Sequence, residues 1–140
     1  MNLKRLALAS LFGSFACFLF GGLWHVAIFK TYYYGPALAT FYRSVDGSKH
    51  GQIMLADLIR GTAIAVLYAM MTGRGASPVS QGLKFGAAIG ALFVAVWVLM
   101  VDAVAQVPDA GYVPLEATFS MLQGLLAGVA VAKGYGKPKA

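Results

Sequence analysis

Four stretches of the chain run almost unbroken through apolar residues, and the segments between them hold most of the charge. They cover residues 6–29, 52–71, 79–104 and 115–132. Each is close to the ~20 residues that a helix needs to cross a hydrocarbon core. A backbone in lipid must also satisfy its own N–H and C=O groups, which a helix does. The pattern predicts an all-α integral membrane bundle of four transmembrane helices forming a single domain, residues 1–140.

The polar breaks carry turn and cap signals. After Lys30 the chain continues through Tyr32, Tyr33 and Tyr34, turns at Gly35-Pro36, and runs through Phe41-Tyr42-Arg43. That mixture of rings, apolar residues and one arginine predicts a short helix in the headgroup layer within the first loop. Asp46-Gly47-Ser48 predicts a turn into the second span, and Gly73-Arg74-Gly75 its stop. Ser77-Pro78 reads as an N-cap followed by proline at the first helical position. Pro108-Asp109-Ala110-Gly111 is the last turn, and Lys133 to Lys137 closes the fourth span.

Composition agrees with this and removes other classes. Of 140 residues 59% are apolar and 11% charged, with a mean hydropathy of +0.72, too little polar surface for a soluble globule. The net charge of +6 sits in the flanks of the spans and in no basic stripe interleaved with aromatics, so nucleic acid is not an expected partner. Lys4, Arg5, Arg74, Lys84, Lys133, Lys137 and Lys139 fall on one side of the membrane, and Lys30, Arg43 and Lys49 on the other. The positive-inside rule then predicts cytoplasmic termini and a tyrosine-rich first loop facing out. Residues 1–20 resemble a secretory signal, yet no clear cleavage site follows, and we read them as an uncleaved first helix. A single cysteine, Cys17, excludes an intramolecular disulfide.

Lipid gives helices no hydrophobic reason to associate, so close packing relies on small residues at four-residue spacing. The first span offers Ala9, Gly13, Cys17 and Gly21; the second, Gly61, Ala65, Ala69 and Gly73. Gly82, Gly86 and Gly90 line the third, and Gly124, Gly128 and Ala132 the fourth. Spans one and three also align, Gly13 with Gly86, Phe20 with Phe93 and Trp24 with Trp97, which fits a duplicated hairpin and equally a chance likeness of apolar helices.

Five ionisable residues break the apolar pattern: His25, Asp57, Arg60, Asp102 and Glu116. Such groups cost at least ~2.5 kcal/mol each inside a bilayer and are usually paired or functional. Asp57 and Arg60, three residues apart with the acid first, predict a pair on one helix face. The ridges and the predicted topology place all five in the outer half of the membrane as one interior cluster. A register-fixing charge pair, a proton or ion path, and a site completed by a partner's polar group are all open. A manganese, iron or zinc site on His25 and the carboxylates has no supporting ligand spacing, and no metal site is predicted. Haem between His25 and His50, or a pigment or quinone among the rings, leaves the cofactor unknown. Glu116 alone is explained by the helix dipole. Trp24, Trp97, Tyr32, Tyr33 and Tyr34 are expected in an outer aromatic belt. Nothing resembles a nucleophile triad, a phosphate loop or a metalloprotease helix, so no catalytic residue is expected and the chain reads as non-enzymatic.

Gly21-Gly22-Leu23-Trp24 with Phe29-Lys30, and Gly82-Leu83-Lys84-Phe85-Gly86, resemble small four-helix bacterial membrane proteins of unknown function. The resemblance implies a four-helix fold in a bacterial inner membrane and brings no activity with it. Small multidrug transporters are of similar size, but they carry an essential glutamate in the first helix, which is missing here. The expected function is an accessory or assembly subunit that binds a membrane-protein partner or its own copies. The alternative is a small ion- or proton-coupled transporter or channel using Asp57 and Arg60.

Overall fold

The computed structural model describes residues 2–42, 49–71, 77–104 and 109–136. Helix α1 (Leu3–Gly22) opens where the Asn2 side chain accepts the Arg5 N–H, and continues as a π-helical turn, Leu23–Ile28. A single turn, α2 (Lys30–Tyr33), follows. Next come α3 (His50–Met71) and α4 (Pro78–Phe93), the latter capped by Ser77 with Pro78 in its first turn. A second π turn, Val94–Val98, leads into α5 (Leu99–Val104), and α6 (Tyr112–Tyr135) completes the chain. Gly136 ends α6 at φ 72°, a backbone state that glycine enters without steric cost.

Four helical stretches are long and apolar enough to cross a membrane: Leu3–Ile28, His50–Met70, Pro78–Val104 and Tyr112–Tyr135. The protein is therefore an all-α, multi-pass membrane protein with a lipid-facing exterior. Large apolar side chains such as Leu11, Phe15, Ile59 and Val96 point outward, as lipid requires.

Helix α6 is the centre of the bundle. It packs along α4 on one side and α1 on the other, and α1 in turn carries α3, while the α3 and α4 backbones stay apart and meet through side chains, Arg60 over Phe93 and Tyr68 against Phe85. Small residues explain both seams. A Cβ on Gly82 would sit 2.7 Å from the Gly128 carbonyl oxygen, and one on Gly124 2.6 Å from that of Gly86. At Gly90 a Cβ would come 3.0 Å from the Met121 Cα, so backbone rides on backbone along the whole α4–α6 seam. Gly61 does the same between α3 and α1, where a Cβ would meet the Ser14 backbone; Gly13 makes room for the Val131 side chain of α6, and Gly134 lets α6 lie against Ala9. Gly21 differs: its nearest neighbour would be the Gln123 Nε2 at an ordinary 3.7 Å, so it makes room for a side chain and not for a helix.

The core divides by depth. One apolar cluster, with Ala9, Ile64, Ala65, Tyr68, Val131 and Tyr135, fills the end near the chain termini. The other, with Trp24, Tyr33, Leu38, Tyr112 and Phe119, sits under α2 and the turns after it. That segment folds back over the bundle, with Tyr33 and Leu38 completely buried. Only Lys30–Tyr33 of the expected first-loop helix is helical among the described residues. Arg43, the Asp46-Gly47-Ser48 turn, the Gly73-Arg74-Gly75 stop, Pro108, Lys137 and Lys139 lie outside them.

Candidate functional site

Of the five ionisable residues expected in one cluster, four form two separate sites. His25 and Glu116 meet beneath α2, with His25 Nε2 3.5 Å from Glu116 Oε1. Asp57 and Arg60 meet one level deeper. On α6, Glu116 and the Arg60 partner Gln123 are seven residues apart, about 10 Å along the axis. Arg60 and Gln123 stand near the midpoints of their spans, so the pair lies at mid-depth and not at the level of His25. Asp102 joins neither site: it is exposed on α5 and makes no ion pair among the described residues.

The upper site is built by the first π turn. A bond from the Phe29 N–H to the Trp24 carbonyl widens the helix by one residue, and Trp24 turns inward beside His25. Such π bulges occur often at functional sites. The Trp24 Nε1–H donates to the Tyr33 hydroxyl at 3.1 Å, and that hydroxyl donates to Glu116 Oε1. Burial, aided by the adjacent Glu116 carboxyl, pushes the Tyr33 phenol far above its ordinary range, so it remains a donor. His25 Nδ1 lies 3.0 Å from the Gly21 carbonyl. The imidazole is held between the rings of Tyr33 and Phe119, at centroid distances of 4.3 and 4.6 Å. Glu116 keeps only 4% of its surface exposed. At the rim, the Gly111 N–H holds the Asp109 carboxyl below its usual range.

The lower site joins all four spans. Arg60 Nη1 lies 3.7 Å from Asp57 Oδ1 and donates to Gln123 Oε1 at 2.5 Å. The Gln123 amide turns its Nε2 to the Cys17 carbonyl at 3.1 Å, and the guanidinium covers the Phe93 ring at 4.9 Å. One residue on each span thus fixes the next. Asp57 is buried, but the Arg60 side chain stays 31% exposed between α3 and α4. Ser120, also buried, stands on α6 between Glu116 and Gln123, so a polar line runs from the α2 end to mid-depth and stops at the apolar cluster below.

Gln123 is the key residue that inspection of the sequence missed, and Tyr33 was expected only as a belt aromatic. Gln123 had a signal, since a lone amide in the middle of a span needs a partner. Tyr33 had none, because only the fold-back of α2 separates it from its neighbours. The belt expectation changes as well: Trp24 and Tyr33 are buried in the core, Tyr32 and Tyr34 are half-buried, and Trp97 is 61% exposed. Among the described residues no three His, Cys, Asp or Glu side chains come together as a metal would need. No protein-family model, no curated protein and no solved structure matches this chain.

Proposed function

We propose that this protein is a non-enzymatic membrane subunit that binds a further membrane helix, from a partner protein or another copy, along the flank between α3 and α4. One observation carries this: a guanidinium at mid-depth, 31% exposed, between two neighbouring spans whose backbones stay apart and meet only through side chains. A charge in that position is costly in lipid and is relieved by a polar or acidic group from a docked helix. The basic residues at the chain ends support cytoplasmic termini, a first loop on the opposite face, and α2 lying at the headgroups, and the resemblance to small four-helix proteins implies a bacterial inner membrane. Extraction in a mild detergent is expected to co-purify a stoichiometric partner or yield a defined oligomer, and Arg60→Ala to weaken it. A wild-type protein that always runs as a monomer would sink the proposal.

A second reading, a small ion- or proton-coupled transporter, draws support from the buried line Glu116, Ser120, Gln123, Arg60 and Asp57. The apolar cluster beneath it means that passage requires the termini end to open. In liposomes, Asp57→Asn and Arg60→Ala are expected to abolish flux on this reading. Unchanged proton and ion conductance in both variants removes it.

A further inference from the structure

The Arg60 guanidinium has more donors than its surroundings can accept. It carries five N–H groups and no acceptor. Nη1 gives one to Gln123 Oε1, while Asp57 Oδ1 at 3.7 Å is an ion contact too long for a hydrogen bond. The Cys17 thiol beside it is a weak further acceptor. Asp57, Gln123 and Cys17 are all buried, so these partners lie inward. The outward edge of a side chain that is 31% exposed meets no acceptor among the described residues. At mid-depth lipid cannot supply one.

The surface around that edge is shaped for a close neighbour. On α3 the positions one turn before and after Arg60 on its outward side are Ala56 and Ala63, both exposed. On the inward side the same steps lead to Asp57 and Ile64, both buried. Alanines let a second backbone come close to the guanidinium. The group that fits best is a carboxylate, which takes two parallel, charge-assisted N–H bonds from the planar fork. Asp57 does not forbid a second acid. A docked carboxylate would sit about 3 Å from the guanidinium with Asp57 beyond it on the far side, so attraction acts over about half the distance of the repulsion.

A second copy of the chain cannot provide this group. Copies sharing a bilayer in one orientation are related by rotation about the membrane normal, which keeps every residue at its depth. An inverted copy also brings mid-depth to mid-depth. The five acids of the chain are Asp46, Asp57, Asp102, Asp109 and Glu116. Asp57 and Glu116 are buried and engaged within the bundle, and Asp46 and Asp109 fall between spans. Asp102 is exposed but stands near the end of its span, about 16 Å from the midpoint. The polar side chains that a copy exposes nearest to mid-depth are Arg60 itself and Thr62. Self-association through this flank would set guanidinium against guanidinium.

We infer that the helix received between α3 and α4 belongs to a different protein and carries an aspartate or glutamate at mid-span, which Arg60 binds. The inference rests on that flank being a docking surface, and it adds what the partner must present there.

Synthetic membrane helices test the requirement directly. Three leucine-rich helices that differ only in a central Glu, Gln or Leu are mixed with the full-length protein in phosphatidylcholine vesicles. Binding is read by energy transfer from a dye at the protein's N-terminus to one on the helix. The Glu helix is expected to bind about tenfold more tightly than the Leu helix, with the Gln helix between them. Asp57→Leu combined with Arg60→Leu strands no charge, and that double variant should bind all three alike. Protein copies carrying both dyes should show only the transfer of random encounters. A Gln or Leu helix that binds as well as the Glu helix, or a Glu preference that survives the double replacement, would overturn the inference and leave the docking flank in place. Transfer between copies that disappears on Arg60→Leu would do the same. A protein that binds no helix and is extracted alone as a monomer removes the docking surface itself, and the inference with it.

Discussion

Arg60→Leu is expected to destabilise the bundle by about 2–4 kcal/mol, and adding Asp57→Leu to the same chain to recover most of that loss. The single change strands two groups: Asp57, buried on α3, loses its counter-charge, and Gln123 loses the donor at its Oε1. Breaking a buried ion pair in a soluble protein costs about 3–5 kcal/mol, whereas an average polar contact between membrane helices is worth about 0.6 kcal/mol. The lower-site loss falls between these values, because the separated helices also carry Asp57 in lipid. The double replacement leaves no uncompensated charge and fills the same space with apolar atoms, which is often neutral. Reversible unfolding in mixed micelles measures both. If the double variant is no more stable than Arg60→Leu, the reading of the pair as a register-fixing element fails. The same variants separate stability from docking: a double mutant that folds well but no longer captures its partner assigns Arg60 to the interface.

A comparable loss is expected from Gly124→Leu. The α4–α6 seam is backbone against backbone, and a single Cβ at this position would stand 2.6 Å from the Gly86 carbonyl oxygen and 2.7 Å from the Gly90 Cα. Backbone cannot swing aside as a flexible side chain can, so a branched side chain forces the helices apart. Overpacking typically costs 1–3 kcal/mol, and here the disruption runs along the principal seam of the bundle, placing the expected loss at ~3 kcal/mol or more. Gly22→Ala is the matched control. Nothing lies within 4 Å of a Cβ there, so its effect should stay within about 0.5 kcal/mol in the same unfolding measurement. Equal stability of Gly124→Leu and wild type would contradict the packing around α6.

Much of the architecture was legible in the residues alone. Four apolar stretches of bilayer length can only be helices, since lipid offers the backbone no other partner. Their small-residue ridges also marked most of the contact surfaces: Gly82, Gly86, Gly90, Gly124 and Gly128 all lie at the close α4–α6 approach. The spacing of Asp57 and Arg60 likewise identified their pairing, because three residues along a helix bring side chains to one face whatever surrounds it.

What the sequence could not determine is which ridge meets which, and therefore where the polar groups end up. Four ridges of nearly equal character permit several helix orders, and only the tertiary structure places α6 at the centre and leaves α3 and α4 apart. That arrangement splits the expected cluster, because depth is set by each helix's register against α6. Glu116 takes His25 and Tyr33, Gln123 takes Arg60 seven residues deeper, and Asp102 is left at the edge. The fold-back of α2 and the π turn at Trp24 are equally invisible to periodicity. They depend on a tyrosine reaching a glutamate 83 positions away, a contact that exists only once the chain has closed on itself.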